Sequence, residues 1–216
     1  MEILYVDQWI IVINKPAGVL SIPDGYDKNK PFIRKLLEDA YGRCWVVHRL
    51  DKETSGTLVL ARSKEIHRDL SLLFETRKIS KLYIALVYGE PQESNFSVSF
   101  PLRINADRHH RTRVDFNNGK PAITNLRVTD RFGTFSKVQV EPLTGYTHQI
   151  RSHLSYINHP ILGDSLYLSL PQIEKTRNIP DVPRMALHSL SIRFTHPILG
   201  QEMIFDAPTP DFFKLT

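Results

Sequence analysis

The stretch His48-Arg49-Leu50-Asp51-Lys52-Glu53-Thr54-Ser55-Gly56 decides the reading of this chain. It stands between Trp45-Val46-Val47 and Thr57-Leu58-Val59-Leu60-Ala61. Both flanking runs have the length and β-branched content of buried strands. A polar loop joining two strands lies at one edge of a sheet, so Asp51 is held there among His48, Arg49 and Lys52. Nearby positive charge favours the ionised carboxylate and lowers its pKa. An aspartate held ionised in a shaped loop can act as nucleophile or general base. The plainer reading has Asp51 only turning the loop or pairing with Arg49, because structural ion pairs perturb pKa values too.

Outward from this loop, strand-like segments dominate. Ile10-Ile11-Val12-Ile13 reads as a buried strand running into the turn-forming Asn14-Lys15-Pro16-Ala17-Gly18. Ile33, Leu36, Leu37 and Ala40 repeat with helical spacing after Pro31, and a second helix is expected from Ser63, with Ile66, Leu70, Leu73 and Phe74 on one face. Lys81 to Tyr88 alternates as a half-buried strand, with Lys81, Tyr83, Ala85 and Val87 on one side. Phe96, Val98 and Phe100 alternate next. Residues 111–116 and 122–128 flank Asn118-Gly119, which predicts a hairpin between them. Val138 and Val140 mark a strand closed by Pro142. Thr147 is placed to cap a third helix with the stripe Ile150, Leu154 and Ile157, leaving His148, Arg151 and Ser152 on its polar side. Leu190, Ile192 and Phe194 form a late strand, turned by Ile198-Leu199-Gly200 into Met203-Ile204-Phe205. Many hairpins and three helices predict an α+β fold, a mixed and mainly antiparallel sheet with flanking helices.

A chain of 216 residues makes one domain, or one domain with two lobes. It can bury about 70% of its unfolded surface, so it needs neither disulfides nor metal to fold. Cys44 is the single cysteine, which excludes an intrachain disulfide and a multi-cysteine zinc site. The apolar run Trp9 to Ile13 is too short for a signal peptide, and no window reaches membrane-span length; a cytoplasmic protein is expected. The formal net charge is +5, which points toward a polyanionic partner. Arg103, Arg108, Arg111 and Arg113, with His109 and His110, face one acid, Asp107. Arg62, Lys64, Arg68, Arg77, Lys78 and Lys81 make a second basic stretch. Taken singly each reads as a solvated surface; together they favour phosphate contact.

Other chemistries find no support. His148 and His153 are five apart, unlike a helical zinc pair, and no other ligand spacing is recognisable. A Gly-x-Ser-x-Gly nucleophile elbow, a phosphate-binding glycine loop and a dinucleotide fingerprint are all missing. What remains is one carboxylate, basic surface and strand-borne aromatics. Tyr83 shares a strand face with Lys81, which suits stacking a base beside a phosphate, or else is a core tyrosine with a satisfied hydroxyl. Arg151 is either a guanidinium that holds Asp51 ionised or a surface arginine.

With these residues on the page, His48 to Gly56 resembles the signature of the RluA-type pseudouridine synthases, including its aspartate. Tyr5 to Pro23 resembles the opening segment of that family, and Lys81 to Gly89 its tyrosine-bearing strand. Gly119-Lys120-Pro121-Ala122 with Thr124 matches a further segment. Leu143-Thr144-Gly145, His148 to Arg151 and His159 to Asp164 match the arginine-bearing one, and Leu187-His188 and His196-Pro197 the closing part. Three positions depart from the pattern: Tyr146 stands where arginine is usual, Ser152 replaces a common valine, and Leu168 stands where glycine is frequent.

The resemblance implies one catalytic domain over residues 1–216, built around a catalytic cleft, without a separate N-terminal RNA-binding domain. It implies an enzyme acting as a monomer that isomerises uridines in ribosomal or transfer RNA to pseudouridine, without cofactor or metal. Asp51 is then the catalytic centre, Tyr83 stacks on the target uracil, Arg151 pairs with Asp51, and Arg49 reaches toward the RNA opened by the displaced base. A non-catalytic RNA-binding module on the same scaffold would be expected to lack one of Asp51, Tyr83 or Arg151, and all three are present. A nucleoside hydrolase using the same carboxylate would release free uracil.

Overall fold

Asp7 sets the first turn: its Oδ1 accepts from the backbone N–H groups of Trp9 and Ile10, each at 2.7 Å. The turn joins β1 (Glu2–Val6) to β2 (Ile10–Lys15), and the β-branched run of β2 is buried throughout its first four residues. The computed structural model describes residues 1–25, 27, 29–168 and 179–214. They divide into two compact units, the first comprising residues 1–81 and 188–209 and the second 82–187 and 210–216.

In the first unit β2 pairs antiparallel with β1 and with β4 (Ser55–Ala61), which is buried along its whole length. Two residues of β3 (Trp45–Val46) also pair antiparallel with β4. The opposite end of β4 pairs in parallel with β11 (Leu187–Thr195), which turns antiparallel into β12 (Glu202–Asp206). Gly56 makes the parallel contact possible. Its φ is +111°, and a Cβ there would lie 2.1 Å from the Ser189 carbonyl oxygen.

Helices α1 (Ile33–Tyr41) and α2 (Lys64–Glu75) complete this unit. Ser63 caps α2 by accepting from the Ile66 N–H at 3.3 Å, as its hydroxyl beside the first apolar residue predicts. Ile66 and Leu70 of α2 join Ile10, Val12, Val59, Ile192 and Phe194 in the core, with Leu73 and Phe74 partly buried against it. On α1 only Ile33 and Leu37 are buried; Leu36 and Ala40, expected on the same stripe, are exposed. A nine-residue helix covers a narrow face, and two residues one turn apart fill it.

In the second unit the strands β5 (Ser80–Tyr88), β10 (Phe135–Pro142), β9 (Thr124–Arg131) and β6 (Asn95–Val98) pair antiparallel in that spatial order. Residues Tyr83 to Val87 of β5 are all buried, so this is a strand covered on both faces rather than the half-buried one its alternation suggests. The expected hairpin across Asn118-Gly119 is also corrected. β8 (Arg113–Val114) pairs with β7 (Leu102–Arg103), and after the turn Lys120 returns to Leu102, not to a partner in 122–128. Gly119 permits this: a Cβ there would stand 2.3 Å from the Asp115 carbonyl oxygen and 2.7 Å from the Pro101 carbonyl carbon.

Helix α3 (Gln149–Tyr156) begins at His148, which takes the N-cap position at φ +55° without a side-chain capping bond. Thr147 is therefore not the cap. The side chain of Gln149 instead braces the turn that leads into the helix, its Oε1 accepting from Tyr146 N–H at 3.2 Å and from the Thr144 hydroxyl at 2.8 Å. Gln149 through Leu154 are all buried, so the expected polar side of α3 faces protein and its polar groups are hydrogen-bonded there. Among the described residues, three α-helices and mixed, mainly antiparallel strands make an α+β protein. No helix among the described residues is long and apolar enough to cross a membrane.

Candidate active site

The loop bearing Asp51 is the connection of the β3–β4 hairpin, and Ser55 and Gly56 already belong to the strand. Asp51 is half-buried and Arg49 exposed. The backbone is tethered on both sides of the carboxylate. On one side the Ser21 hydroxyl donates to the Leu50 carbonyl at 2.8 Å and accepts from the Leu50 N–H at 3.1 Å. On the other, the Lys52 carbonyl accepts from Gly18 N–H at 2.8 Å and from Lys15 Nζ at 3.1 Å. Thr54 N–H closes the loop onto the Asp51 carbonyl at 3.1 Å.

Lys15 is fully buried. An ammonium has three donors, and its other two bonds go to the Pro16 and Val19 carbonyls at 2.9 and 2.7 Å. One buried amine thus ties the 15–19 turn to the Asp51 loop. Each such bond contributes only about 1 kcal/mol net, but leaving a buried group unpaired costs about 1–3 kcal/mol. Five bonds bracketing one residue hold its backbone in a single place. Gly18, at φ +82°, supplies the left-handed residue this turn requires.

The electrostatic expectation for this loop needs correction. His48 contributes no positive charge near neutrality: burial, with the Lys81 ammonium adding to it, pushes its pKa down to about 3. The neutral imidazole is locked, its Nε2 accepting from Val59 N–H at 3.0 Å and its ring stacked on Phe74 at 4.6 Å. Lys52 lies 3.7 Å from Glu53 across an exposed pair. Counting charges along the sequence overstated the cationic surroundings of Asp51, because one of the three groups is a half-buried neutral ring. At the start of β4, Ser55 hydrogen-bonds His188 Nδ1 at 2.8 Å and the Thr57 hydroxyl meets the Ser189 hydroxyl at 2.8 Å. These pairs fix the strand on which the loop stands.

Arg151 and Tyr83 belong to the second unit. Arg151 is buried on α3, and Asp164 grips it in bidentate fashion: Nε and Nη2 donate to Oδ2 and Oδ1, both at 2.7 Å. Asp164 Oδ1 also accepts from Leu166 and Tyr167 N–H at 3.0 and 3.2 Å. The guanidinium carbon lies 5.0 Å from the Tyr167 ring centroid. A planar fork held along one edge and stacked on one face has a fixed orientation. The Tyr167 hydroxyl in turn accepts from Thr112 N–H at 2.7 Å and donates to the Thr112 carbonyl at 3.0 Å.

The segment bearing Asp164 is anchored to the strand bearing Tyr83. Leu162 N–H donates to Leu86 O and Tyr88 N–H to Pro160 O, both at 2.9 Å. Tyr83 is buried on β5, paired with Val140 of β10. Between β7 and β8, Asp107 organises the basic stretch. Burial alone would raise its pKa, but hydrogen bonds from the Arg111 side chain, the Arg111 and His109 N–H groups and Arg113 hold it well below the usual carboxylate range. Arg111 and Arg113 are thus arrayed around one acid, while Arg108, His109 and His110 are exposed.

The structure adds residues for which sequence reasoning had no role. Ser21 and Tyr167 were unremarked, Lys15 was read only as part of a turn, and Asp164 only as the end of a resembling segment. Asp164 had a turn signal in the composition Gly163-Asp164-Ser165. Its grip on Arg151, thirteen positions away, has no local signature.

A family model described as RNA pseudouridylate synthase matches residues 9–156. The dual-specificity RNA pseudouridine synthase RluA of Pasteurella multocida is 36% identical over 209 residues, covering 96% of this chain and 93% of that protein. The protein of the same description from Escherichia coli K12 gives the same identity and coverage. Among solved structures, human RNA pseudouridylate synthase domain containing 1 superposes with a TM-score of 0.80 at 29% identity, covering 97% of this chain and 83% of that one. Human RNA pseudouridylate synthase domain containing 4 gives 0.77 at 28%, covering 99% and 90%.

Proposed function

The chain belongs to the RNA pseudouridylate synthase family and isomerises uridines in RNA to pseudouridine; from that premise we propose that Asp51 carries the reaction, in one catalytic domain formed by residues 1–216. The observation that supports this most is the Asp51 loop, whose backbone is tethered at Leu50, Asp51 and Lys52 while the carboxylate stays half-buried. A structural aspartate at a hairpin tip needs no such bracing, whereas a reacting group does.

Pseudouridine formation breaks the N1–C1′ bond, turns the uracil and joins C5 to C1′. The hydrogen leaves C5 as a proton and N1 gains one, so atoms balance without oxidant or phosphate donor. The carboxylate serves by attacking carbon or by drawing off a ribose proton; both routes require it ionised. In this reading Arg151, held by Asp164 and Tyr167, presents its guanidinium to Asp51. Tyr83 stacks on the target uracil and assists at C5, and the exposed Arg49 reaches into the space the base has left. The uridine must leave its helix or loop to reach these groups. Basic side chains of residues 103–113 contact phosphates, so affinity falls steeply with salt.

The substrates we assign are ribosomal and transfer RNA, met in the cytoplasm by a monomeric enzyme; the description of the bacterial relatives as dual-specificity supports more than one RNA. The test is to incubate the protein with unmodified ribosomal and transfer RNA, digest both and chromatograph the nucleosides. Pseudouridine at discrete sites without free uracil is the expected result. Release of free uracil would replace the isomerase by a hydrolase, and binding without either product would leave only the RNA-binding module.

A further inference from the structure

We propose that Phe116, backed by Phe100 and Tyr156, is a stacking platform for an unpaired nucleobase of the bound RNA, outside the site that holds the target uridine. The inference rests on the RNA-substrate reading above and extends it to a binding subsite. Phe116 is 66% exposed and Tyr156 48% exposed. A large aromatic ring held in water is an unusual placement unless something covers it. Scattered exposed aliphatics elsewhere on the chain need no such account, but here three rings adjoin.

Phe116 meets Phe100 at 5.9 Å and Tyr156 at 6.5 Å between centroids, and Phe100 meets Tyr156 at 4.9 Å. Interplanar angles of 75°, 63° and 64° are edge-on contacts, the geometry that the ring quadrupoles favour. The rings brace one another without stacking face to face, and Phe116 and Tyr156 remain exposed.

The turn that carries Phe116 is built to hold it out. Asp115 Oδ1 accepts from Asn117 and Asn118 N–H at 3.0 and 2.9 Å, and Asp115 N–H donates to Pro101 O at 2.9 Å. Arg103 anchors the same carboxylate at 3.2 Å.

Charge selects the occupant. From Arg103 to Lys120 there are five lysines and arginines against two acids. Arg103 and Arg113 face each other across β7–β8, and Lys120 adjoins Leu102. All three are exposed. An exposed aromatic ring on a hairpin that also carries exposed guanidinium and ammonium groups is the pairing that takes a base by its π-face and its phosphates by charge. The net excess of exposed cations on this hairpin suits a phosphate-bearing strand rather than an apolar protein face, and a helical RNA segment would offer no base face.

The experiment uses the full chain and two probes that contain no uridine, so the uridine site does not enter the result. One is a single-stranded adenosine dodecamer and the other an abasic phosphodiester strand of equal length. Wild type is expected to bind the adenosine strand about tenfold more tightly than the abasic one. Phe116→Ala should abolish that preference while leaving abasic binding and the melting temperature unchanged; Phe116→Tyr should restore it. Arg113→Gln should weaken both probes together and flatten their salt dependence. Equal binding of the adenosine strand by wild type and Phe116→Ala would overturn the proposal. So would a fall in sedimentation mass on that substitution, which would make the patch a contact between copies of the chain. Loss of uridine isomerisation in other variants, with the base preference intact, would count against the catalytic reading and not against this subsite.

Discussion

Asp164→Asn changes one carboxylate oxygen to an amide nitrogen at nearly constant volume. The asparagine Oδ1 can keep the bonds from Arg151 Nη2, Leu166 N–H and Tyr167 N–H. The new NH2 then faces Arg151 Nε–H, donor against donor, where a 2.7 Å charged bond stood. Water cannot replace it, since the two side chains are only 10% and 0% exposed. Removing one partner of a buried ion pair costs about 3–5 kcal/mol. The one charged bond kept from Arg151 Nη2, about 1.5 kcal/mol, reduces this to ~1.5–3.5 kcal/mol. With a urea slope of about 2 kcal/mol per molar, the midpoint should fall by ~0.75–1.75 M. Trp9 and Trp45 both lie in the first unit, so the transition should be followed by far-ultraviolet circular dichroism, which also sees the second. Because the substitution also loosens the guanidinium we assign to Asp51, single-turnover isomerisation should drop about 100-fold at saturating RNA. An unchanged urea midpoint together with an unchanged rate would refute the reasoning that Asp164 fixes Arg151.

Further outcomes follow from the first unit. Ser21→Ala removes both bonds to Leu50 and should lower kcat about tenfold with little change in KM; steady-state kinetics reads this, and an unchanged kcat would show the tether to be dispensable. Gly56→Ala must relieve a 2.1 Å overlap with the Ser189 carbonyl at a positive φ, so a loss of at least ~3 kcal/mol is expected, seen calorimetrically as a fall of roughly 6–12 °C. His48 is neutral in the fold down to about pH 3, whereas an ordinary imidazole protonates near 6.5. Its contribution is therefore complete above pH 6.5 and declines as pH falls from 6.5 toward 3, by ~2 kcal/mol between pH 6.5 and 5. Denaturant titrations followed by tryptophan fluorescence at pH 7.5 and 5.0 should show that loss in wild type and little of it in His48→Gln; equal slopes would contradict the assignment.

Periodicity reads best where one rule governs a segment. β2, β4, α2 and the β11–β12 hairpin follow from β-branched runs, a Ser63 cap and a glycine turn, and they stand where those features put them. Local rules fail where a tertiary contact outbids them. Asn118-Gly119 is a good hairpin turn, but Gly119 is used to bring the chain back against Pro101 and Leu102. Thr147 is a good cap residue, but His148 takes the N-cap position in a left-handed conformation, and the Thr147 carbonyl accepts from the Thr112 hydroxyl. The strand–loop–strand around Asp51 was legible because its residues are contiguous. The groups that hold it were not. Ser21 lies 29 residues from Leu50 and Lys15 37 residues from Lys52, and no spacing rule links positions so far apart.

The claim beneath all of this is that one carboxylate drives the exchange of a carbon–nitrogen for a carbon–carbon glycosidic bond. The most direct measurement uses RNA tritiated at uracil C5 and records label released to water in a single turnover. Wild-type protein should release it stoichiometrically with the sites modified, and Asp51→Ala, still binding the RNA, should release none above background. Equal release by the two proteins would take Asp51 out of the mechanism.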